Sequence, residues 1–284
     1  NHSDSTKKIL FIKLIKQGAS VLASFAFKEA VEKVGKEQVF FLVFKENRPI
    51  LDLLNVLDQK NIIEINNESF FRFLIDISKA ILFFRKNKID SCIDMEFFSR
   101  ASIIIAFLSG AKKRVGLFSF TSEHPYRGNL ITHKIHYNPY VHVSQYYLML
   151  VKALDEKPVN EPLLKKGLDV YKTTLPKVSM SNDLLTRVKT SLNIPSDSRK
   201  IILLNPNASD MLPLRKWETE NFKKLNQAIK LENAKDCIIY TGVKEERANI
   251  EKLIKEMQSD YIINAAGKTS LDELMGLYLS LIHI

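Results

Sequence analysis

The sequence predicts an α/β protein of two domains, each built on a parallel sheet. Short runs of Ile, Leu, Val and Phe alternate with helical segments, first along residues 7–154 and again from residue 200 onward. Strands and helices that alternate in this way form parallel sheets covered on both faces. Residues 155–199 lack this periodicity and contain four prolines, which is typical of a boundary between domains. We therefore predict domains over 1–154 and 200–284, joined by a linker region over 155–199.

The first domain is predicted to alternate strands with helices. Each strand is a short apolar run, and each helix repeats apolar residues every three or four positions. The predicted strands are 7–14, 38–44, 61–66, 89–95 and 113–117. The predicted helices are 20–35, capped by Ser20, one from about 48, and then 69–86, 99–110 and 143–154. Residues 118–140 lack periodicity and are rich in His, Tyr and Asn, which is typical of a binding loop.

The helix predicted over 69–86 has more apolar residues than one buried face requires. Phe71, Ile75 and Leu82 widen the stripe that would pack on a sheet, and basic residues stand beside them. Burial of the whole stripe against neighbouring elements is the favoured interpretation. The alternative is a surface that rests on a membrane.

The second domain is predicted to repeat the alternation, and its first strand ends in a candidate ligand loop. The predicted strands are 200–205, 236–240 and 261–264, and the predicted helices are 218–232, 245–257 and one from 270, while a further helix over about 182–192 is predicted inside the linker region. After the first of these strands come Asn207, Ser209, Arg215 and Lys216, which bring hydrogen-bond donors and positive charge. Open α/β sheets bind ligands at this end of a strand, and the following helix adds a partly positive N-terminus. The loop therefore suits a diphosphate, although an ordinary connection with solvated charges fits equally well.

The net charge of +10 lies mostly in the first domain. Residues 1–154 hold 22 Lys/Arg against 14 Asp/Glu, whereas residues 155–284 hold 20 against 18. A basic field of this kind favours an anionic partner, such as an acidic membrane surface or a phosphorylated glycolipid. Nucleic acid is not expected as a partner, because no recognisable binding motif is present.

The sequence favours a reducing, cytoplasmic compartment. The first residues do not resemble a signal peptide, and the uncharged segments 19–27 and 101–111 are too short to cross a bilayer. Cys92 and Cys237 each fall in a predicted buried strand, which indicates two core thiols rather than a disulfide.

Three histidines in the second half of the first domain invite a metal-site interpretation. In an extended chain His133 and His136 face opposite ways, and Asn138-Pro139 argues against a helix that would bring His142 to them. We therefore predict no metal site.

Six segments, in a fixed order, carry a resemblance to a known family. They are KILFIKLIKQGASVLASFAFKEAV, DMEFFSRASIIIAFLSGAKKRVG, HVSQYYLMLVKAL, NPNASDMLPLRKWETENFKKL, YTGVKEE and NAAGKTSLDELMGL. In this order and spacing the chain resembles glycosyltransferase family 9, which contains the heptosyltransferases of lipopolysaccharide core synthesis. The resemblance covers nearly the whole chain. It implies two Rossmann-like domains facing across a cleft, the GT-B type of fold, with the acceptor in the first domain and the nucleotide sugar in the second.

The resemblance also implies where the donor binds. Ser209, Arg215 and Lys216 would lie against the phosphates of the nucleotide sugar, and Thr241 and Gly242 would approach the nucleotide.

Two further segments would complete the donor site. One of Glu245 and Glu246 would accept a hydrogen bond from a ribose hydroxyl. Gly267, Lys268 and Thr269 would form another loop at the same cleft. For that loop, a plain helix start with a cap at residue 269 or 270 is an equally good interpretation.

The catalytic base is where the chain departs from the family. Members usually carry an Asp directly after the glycine of the first loop, but here Gly18 is followed by Ala19, which cannot accept a proton. Transfer to a hydroxyl needs a positioned base. Glu96 is the first candidate and Asp94 the second, because they share strand parity at a neighbouring strand end. The alternative is that both carboxylates only bond to loop amides or to the acceptor.

The family continues beyond the last helix of this chain into a further strand and a histidine motif that holds the donor diphosphate. The chain instead closes on LYLSLIHI. We therefore expect a C-terminally truncated fragment with an incomplete second domain, and do not assign the family's histidine to His283.

These expectations combine into one predicted function. The chain would be an inverting glycosyltransferase that moves a sugar, expected to be heptose, from a nucleoside diphosphate to an anionic glycolipid of the lipopolysaccharide-core type. It would work at the cytoplasmic face of the inner membrane as a peripheral protein. It would need no cofactor or metal if Arg215, Lys216 and helix ends neutralise the leaving diphosphate. The alternatives are a catalytically inactive saccharide- or nucleotide-binding homologue and a nucleotide-sugar epimerase of similar build.

Overall fold

The computed structural model describes residues 5–15, 17–97, 99–118, 127–158, 182–207, 216–255, 257 and 259–279. The chain divides into two compact units, residues 1–178 and residues 179–284. Each unit contains a parallel sheet with helices, so the predicted α/β class is confirmed. The division falls inside the predicted linker region 155–199, but the exact domain boundaries stay a prediction.

The first unit is built on a six-stranded parallel sheet in the order β3-β2-β1-β4-β5-β6. Its strands are β1 (Ile9–Ile12), β2 (Val39–Phe44), β3 (Ile62–Ile65), β4 (Ser91–Asp94), β5 (Lys113–Phe118) and β6 (His133–His136). Its helices are α1 (Gln17–Leu22), α2 (Ser24–Val34), α3 (Arg48–Leu54), α4 (Phe70–Lys86), α5 (Arg100–Leu108) and α6 (Val143–Lys152).

The alternating side chains of β1 and β2 enter two different cores. Leu10 and Ile12 belong to the core that also contains Phe84 of α4 and Ile103 of α5. Phe11 points to the other face, where its ring lies 5.2 Å from that of Phe27 in α2. A strand that is buried on both faces needs a continuous run of apolar residues, and such a run is the pattern from which β1 and β2 were predicted. Helices α4 and α5 therefore cover one face of the sheet, and α2 packs on the opposite face.

Two expectations for the first unit are wrong. Ser20 does not cap a long helix, because it lies inside α1, which is followed by a separate helix α2. Residues 118–140 are not wholly a loop, because His133–His136 form the edge strand β6, paired with β5. The strand was missed because its sequence, HKIH, has a single aliphatic residue and so no apolar run. Residues 119–126 of the predicted binding loop lie outside the described part of the chain.

Helix α4 also differs from its predicted burial. Its buried residues are Ile77, Ala80 and Phe84, so the periodicity finds Ile77 and Phe84, whereas Phe70 and Leu74 of the predicted core stripe are exposed. The extra apolar residues are not buried: Phe71 is 77% exposed, Ile75 is 53% exposed and Leu82 is 67% exposed. The favoured interpretation of the wide stripe was therefore wrong, and α4 carries a second apolar side that faces solvent.

The second unit is built on a three-stranded parallel sheet in the order β7-β8-β9. Its strands are β7 (Ile201–Leu204), β8 (Cys237–Tyr240) and β9 (Ile262–Asn264). Its helices are α7 (Asn182–Ser191), α8 (Thr219–Glu232), α9 (Arg247–Ile254) and α10 (Leu271–Leu279). One face of β8 packs with α7 and α10 through Cys237 and Ile239, and the other face packs with α8 and α9 through Ile238 and Tyr240.

Both cysteines are buried free thiols, as predicted. Cys92 lies in β4 and Cys237 in β8. Burial raises the pKa of the Cys92 thiol above its ordinary value and raises that of Cys237 to about 11. Both are therefore protonated core residues at neutral pH.

Within the ranges given above, every helix is too short or too polar to cross a bilayer.

Candidate functional site

In the first unit, charged residues meet at the carboxyl ends of the two central strands. Strands β1 and β4 are direct neighbours, with Ile12 beside Asp94. Lys13 follows β1, and Glu96 lies two residues beyond the end of β4. This edge of a parallel sheet is where α/β proteins place their ligands.

Glu96 is held by three hydrogen bonds from the chain that leaves β1. Its Oε2 accepts from Lys13 Nζ at 3.0 Å. Its Oε1 accepts from the backbone N–H of Leu14 at 2.7 Å and of Ile15 at 3.2 Å. A carboxylate has about four acceptor positions, so one is left for a substrate hydroxyl. Glu96 thus fixes the first loop, and its role as the base stays a prediction.

Asp94 is fully buried, and both of its oxygens are engaged. Arg127 forms an ion pair with Oδ2, and Ser102 Oγ donates to the same oxygen at 2.7 Å. The backbone N–H of Glu96 donates to Oδ1 at 3.0 Å. These contacts make Asp94 a support for Arg127 and for the turn that carries Glu96, and they favour Glu96 over Asp94 as the base.

Arg127 is, with Lys13, one of two buried cations that the described residues bring to this edge. Its guanidinium also donates to the carbonyl oxygen of Leu117 at 3.2 Å. Burial lowers the pKa of Arg127 to about 10, so it remains charged at neutral pH.

Two tyrosines complete the edge from helix α6. Tyr146 and Tyr147 are buried, and neither hydroxyl has a hydrogen-bond partner within the part of the chain that the structure describes. Burial and, for Tyr147, the charge of Glu96 raise the phenol pKa values. Phe97 stacks on Tyr146 with a ring separation of 5.9 Å. The two buried phenols therefore support Phe97, which is the ring of this group that is exposed at the edge.

Sequence reasoning missed four residues of this edge. They are Lys13, Arg127, Tyr146 and Tyr147. Lys13 gave a usable signal, because it directly follows a fully apolar strand at its carboxyl end. The other three come from distant segments, and only the fold brings them to β4.

The first loop leads directly into α1. Gly18 and Ala19 both lie inside this helix, and the carbonyl oxygen of Ala19 accepts from Ala23 N–H at 2.9 Å. The methyl side chain of Ala19 brings no proton acceptor to the edge.

In the second unit, polar residues meet at the carboxyl ends of β7 and β8. Thr241 follows β8 and is buried, and its backbone N–H donates to Leu204 O at 2.9 Å. A Cβ at Gly242 would stand 3.1 Å from Asn207 Nδ2 and 2.5 Å from Glu246 Oε2. Asn207 Nδ2 is buried and lacks a partner among the described residues. Gly242 therefore lets these two side chains pack close to the backbone, and it leaves a buried donor that no described residue uses.

The two glutamates after β8 have different roles. Glu246 Oε2 accepts from the backbone N–H of Val243 at 2.8 Å, so this carboxylate closes the turn before α9. Glu245 is exposed on the same turn. The arrangement favours Glu245 as the group that accepts from a ribose hydroxyl.

The loop after β9 reaches the same edge through Gly267. Its backbone N–H donates to Gly242 O at 3.0 Å, which ties the two loops together. Lys268 is exposed next to it, and Thr269 is partly buried. Ser270 is the cap of α10, since its Oγ accepts from Glu273 N–H and Glu273 Oε2 accepts from Ser270 N–H. Thr269 is thus not needed as a cap.

Replacing Gly267 by alanine is expected to destabilise the second unit by about 2–3 kcal/mol. Gly267 has φ +65°, and a Cβ there would lie 2.7 Å from Lys244 Cα, which is backbone and cannot turn away. Unfolding by urea, followed by the fluorescence of the single tryptophan, Trp217, measures the change. Lys252→Ala is the control, because Lys252 is an exposed side chain on α9 of the same unit. Equal stability of the two variants would contradict the strain at Gly267.

The charged loop after β7 is described only at its ends. Lys216 is exposed, next to Trp217 and before α8. Ser209 and Arg215 lie outside the described residues. Their assignment to the donor phosphates stays a prediction.

Two histidines of the first unit, His133 and His142, have structural partners. His133 is buried, with Nδ1 2.8 Å from Thr132 Oγ1 and Nε2 3.1 Å from Glu156 O. His142 caps α6, where its Nδ1 accepts from Ser144 N–H at 3.3 Å. The described ranges contain no group of three potential metal ligands.

Comparison with known proteins assigns the chain to one family. A model of glycosyltransferase family 9 (heptosyltransferase) matches residues 80–281, which is most of the chain. No significant match is found among curated proteins. The match begins beyond the first loop, so it does not bear on Ala19.

Solved structures with the same fold include the ADP-heptose LPS heptosyltransferase II of E. coli, with a TM-score of 0.70 and 16% identity over 96% of this chain and 77% of that one. A glycosyl transferase family 9 protein from Veillonella parvula DSM 2008 has a TM-score of 0.73 and 12% identity over 99% and 75% of the two chains. The UDP-GlcNAc 2-epimerase of Methanocaldococcus jannaschii is less similar, with a TM-score of 0.52 and 13% identity over 96% and 77%.

At these identities the structural likenesses establish the fold, and it is the GT-B type that the sequence predicts. The match to the family model shows that the chain is related to this family. The match spans α5 to α10, so it includes the carboxyl edge of the second sheet. This chain therefore belongs to glycosyltransferase family 9.

Proposed function

We propose that this protein transfers a sugar from a nucleoside diphosphate sugar to a hydroxyl of an anionic, lipid-linked saccharide. The observation that carries the proposal is the buried amide donor of Asn207, which has no partner among the described residues and lies beside Gly242 at the carboxyl ends of β7 and β8. Family membership supports a nucleotide sugar as its occupant. The E. coli structural neighbour is an ADP-heptose heptosyltransferase, and we extend that donor to this chain as the first to be tested.

In this proposal the second unit holds the donor. Asn207 and the backbone near Gly242 would contact the nucleotide, and Glu245 would accept from a ribose hydroxyl. Arg215, Lys216 and Ser209 would contact the diphosphate, with Lys268 and Thr269 on the neighbouring loop. The two cations would neutralise the charge that develops on the leaving group, so no metal ion is invoked.

The first unit would hold the acceptor and the base. The acceptor oxygen attacks the anomeric carbon, the bond from that carbon to the diphosphate breaks, and the hydroxyl proton passes to Glu96. Lys13 and Arg127 are each paired with a carboxylate, so the attraction for an anionic acceptor would come from the basic excess of the first domain as a whole, 22 Lys/Arg against 14 Asp/Glu over residues 1–154. We place the reaction at the cytoplasmic face of the inner membrane, where such an acceptor would lie.

Replacing Lys216 by alanine is expected to weaken the binding of ADP-heptose about tenfold, because one charge-assisted contact to a phosphate is lost. Isothermal titration of the intact protein with ADP-heptose, UDP-N-acetylglucosamine and ADP measures the affinities. Lys252→Ala is the matched control, since Lys252 is also an exposed lysine but lies on α9.

Two outcomes of this titration would contradict the proposal. One is that no nucleotide sugar binds to the unmodified protein. The other is that Lys216→Ala and Lys252→Ala weaken binding equally, because that would indicate only a general effect of positive charge.

The second candidate is a homologue that binds a nucleotide sugar without transferring it. Ala19 favours it, since the first loop has no carboxylate of its own. Binding of the donor without any product from a lipid-linked acceptor would support this candidate. An epimerase would instead convert the free nucleotide sugar with no acceptor present, and the same assay detects that product.

A further inference from the structure

The outer surface of helices α4 and α5 carries large apolar side chains that are exposed in the described part of the chain. On α4, Phe71, Ile75 and Leu82 are four and seven residues apart, so they form one stripe along the helix. At 100° per residue this stripe lies roughly 170° from the core stripe of Ile77, Ala80 and Phe84. The helix is therefore apolar on two opposite sides.

Helix α5 extends the same surface. Ile104, Phe107 and Leu108 are exposed on α5, whereas Ile103, Ile105 and Ala106 are buried under it. The two helices cover the same face of the sheet, and Arg85 Nε donates to Leu108 O at 2.7 Å, which joins their C-terminal ends. The exposed residues thus form one layer over the sheet.

Positive charge borders this layer. Arg72, Lys79 and Lys86 recur every seven residues and flank the apolar stripe of α4 on one side, while Arg85 flanks it on the other. Together α4 and α5 contain five basic residues and one acidic residue, Asp76. Asp76 accepts a hydrogen bond from the backbone N–H of Asn66, so its carboxylate is directed to the start of the helix.

We propose that the α4–α5 surface docks on a bilayer that contains anionic lipids. A helix that lies in a membrane interface has an apolar stripe, bordered by Lys and Arg whose charged ends reach the headgroups. α4 has this arrangement on its solvent side, and its 17 residues extend for about 25 Å along the plane of the sheet. A protein partner of ordinary composition would not require a basic border on both sides of the stripe.

This inference rests on the proposed function, because a protein that uses a lipid-linked acceptor has to reach that acceptor at a bilayer. It adds the surface that makes the contact. Its test contains no nucleotide sugar, so the docking surface and the transfer reaction can fail separately.

The experiment is co-sedimentation of the intact protein with vesicles. One set contains phosphatidylethanolamine and phosphatidylglycerol, and the other contains phosphatidylcholine only. The apolar variant combines Phe71→Ser, Ile75→Ser and Leu82→Ser, and the charge variant combines Arg72→Gln, Lys79→Gln and Lys86→Gln. The control is Leu231→Ser on α8, which removes an 88% exposed leucine elsewhere. All these side chains are exposed, so the variants are expected to fold like the parent protein.

The unmodified protein and Leu231→Ser are expected to bind the anionic vesicles equally well. The apolar variant is expected to bind at least about tenfold more weakly. The charge variant is expected to lose roughly a hundredfold on anionic vesicles, with little change on neutral ones.

Three results would overturn the proposal. The first is that the unmodified protein fails to bind anionic vesicles. The second is that the apolar variant binds as well as the control, which would assign the membrane contact to another surface. The third is that the unmodified protein forms a dimer in sedimentation velocity that the apolar variant does not form, which would assign α4–α5 to a second copy of the chain.

Discussion

Replacing Glu96 by glutamine is expected to lower the rate of sugar transfer by about 10²–10⁴-fold, the usual effect of removing a general base. Glutamine has nearly the same shape, and its Oε1 can still accept from the backbone of Leu14 and Ile15. It cannot take the proton of the acceptor hydroxyl. The rate constant of transfer at saturating donor and acceptor measures the loss.

Controls distinguish two roles of Glu96, namely a general base and a residue that only binds Lys13. Donor affinity, measured by titration, is expected to stay unchanged, because the donor is assigned to the second unit. Glu64→Gln removes an exposed carboxylate from the same sheet and is expected to keep the full rate. If Glu96→Gln folds and transfers sugar as fast as the parent protein, the base lies elsewhere and Glu96 only positions the first loop.

Replacing Asp94 by alanine is expected to destabilise the first unit by about 3–5 kcal/mol. Arg127 would then be a buried guanidinium without its carboxylate, and Ser102 Oγ and Glu96 N–H would lose their acceptor as well. This is a large share of the total stability of an ordinary domain. Urea unfolding followed by far-ultraviolet circular dichroism measures it, since Trp217 fluorescence reports the second unit separately.

A double variant keeps this prediction testable if Asp94→Ala does not fold. Combining Asp94→Leu with Arg127→Leu removes both charges, and replacing a buried pair by apolar residues commonly restores stability. Asp155→Ala is the matched control, because its partner Lys33 forms an exposed ion pair with little expected effect. A loss for Asp94→Ala no larger than for Asp155→Ala would show that Arg127 does not depend on Asp94.

Most strands of the fold could be predicted because both of their faces are buried. A strand such as β1, ILFI, needs apolar residues on each side, and no other element of a soluble domain gives so short and continuous a run. β6 has the opposite character. It lies at the sheet edge, where His133 and Lys134 find partners on neighbouring segments. Its polar sequence therefore lacks the apolar run that predicts a strand.

The candidate site could be predicted only where it follows directly from a strand end. Thr241, Gly242 and Glu96 come one or two residues after a buried run, and the rule for carboxyl ends finds them. Asp94 and Glu96 were expected to point the same way because they are two residues apart on one strand. They do not share this position, because β4 ends at Asp94 and the chain then turns. Arg127 and Tyr147 lie 33 and 53 residues beyond Asp94 in the chain. No local pattern connects such residues, since only the pairing of β4 with β5 and the packing of α6 bring them together.

The two buried thiols make the protein a convenient subject for labelling. Reagents for cysteine react with the thiolate, and Cys92 and Cys237 are both buried and held in the thiol form. Cysteines introduced on the surface of each unit, for example at Tyr140 and at Leu231, would therefore be the only sites that a maleimide dye modifies. Energy transfer between the two dyes would then report whether the distance between the units changes when a nucleotide sugar binds, without removing any native residue from the core.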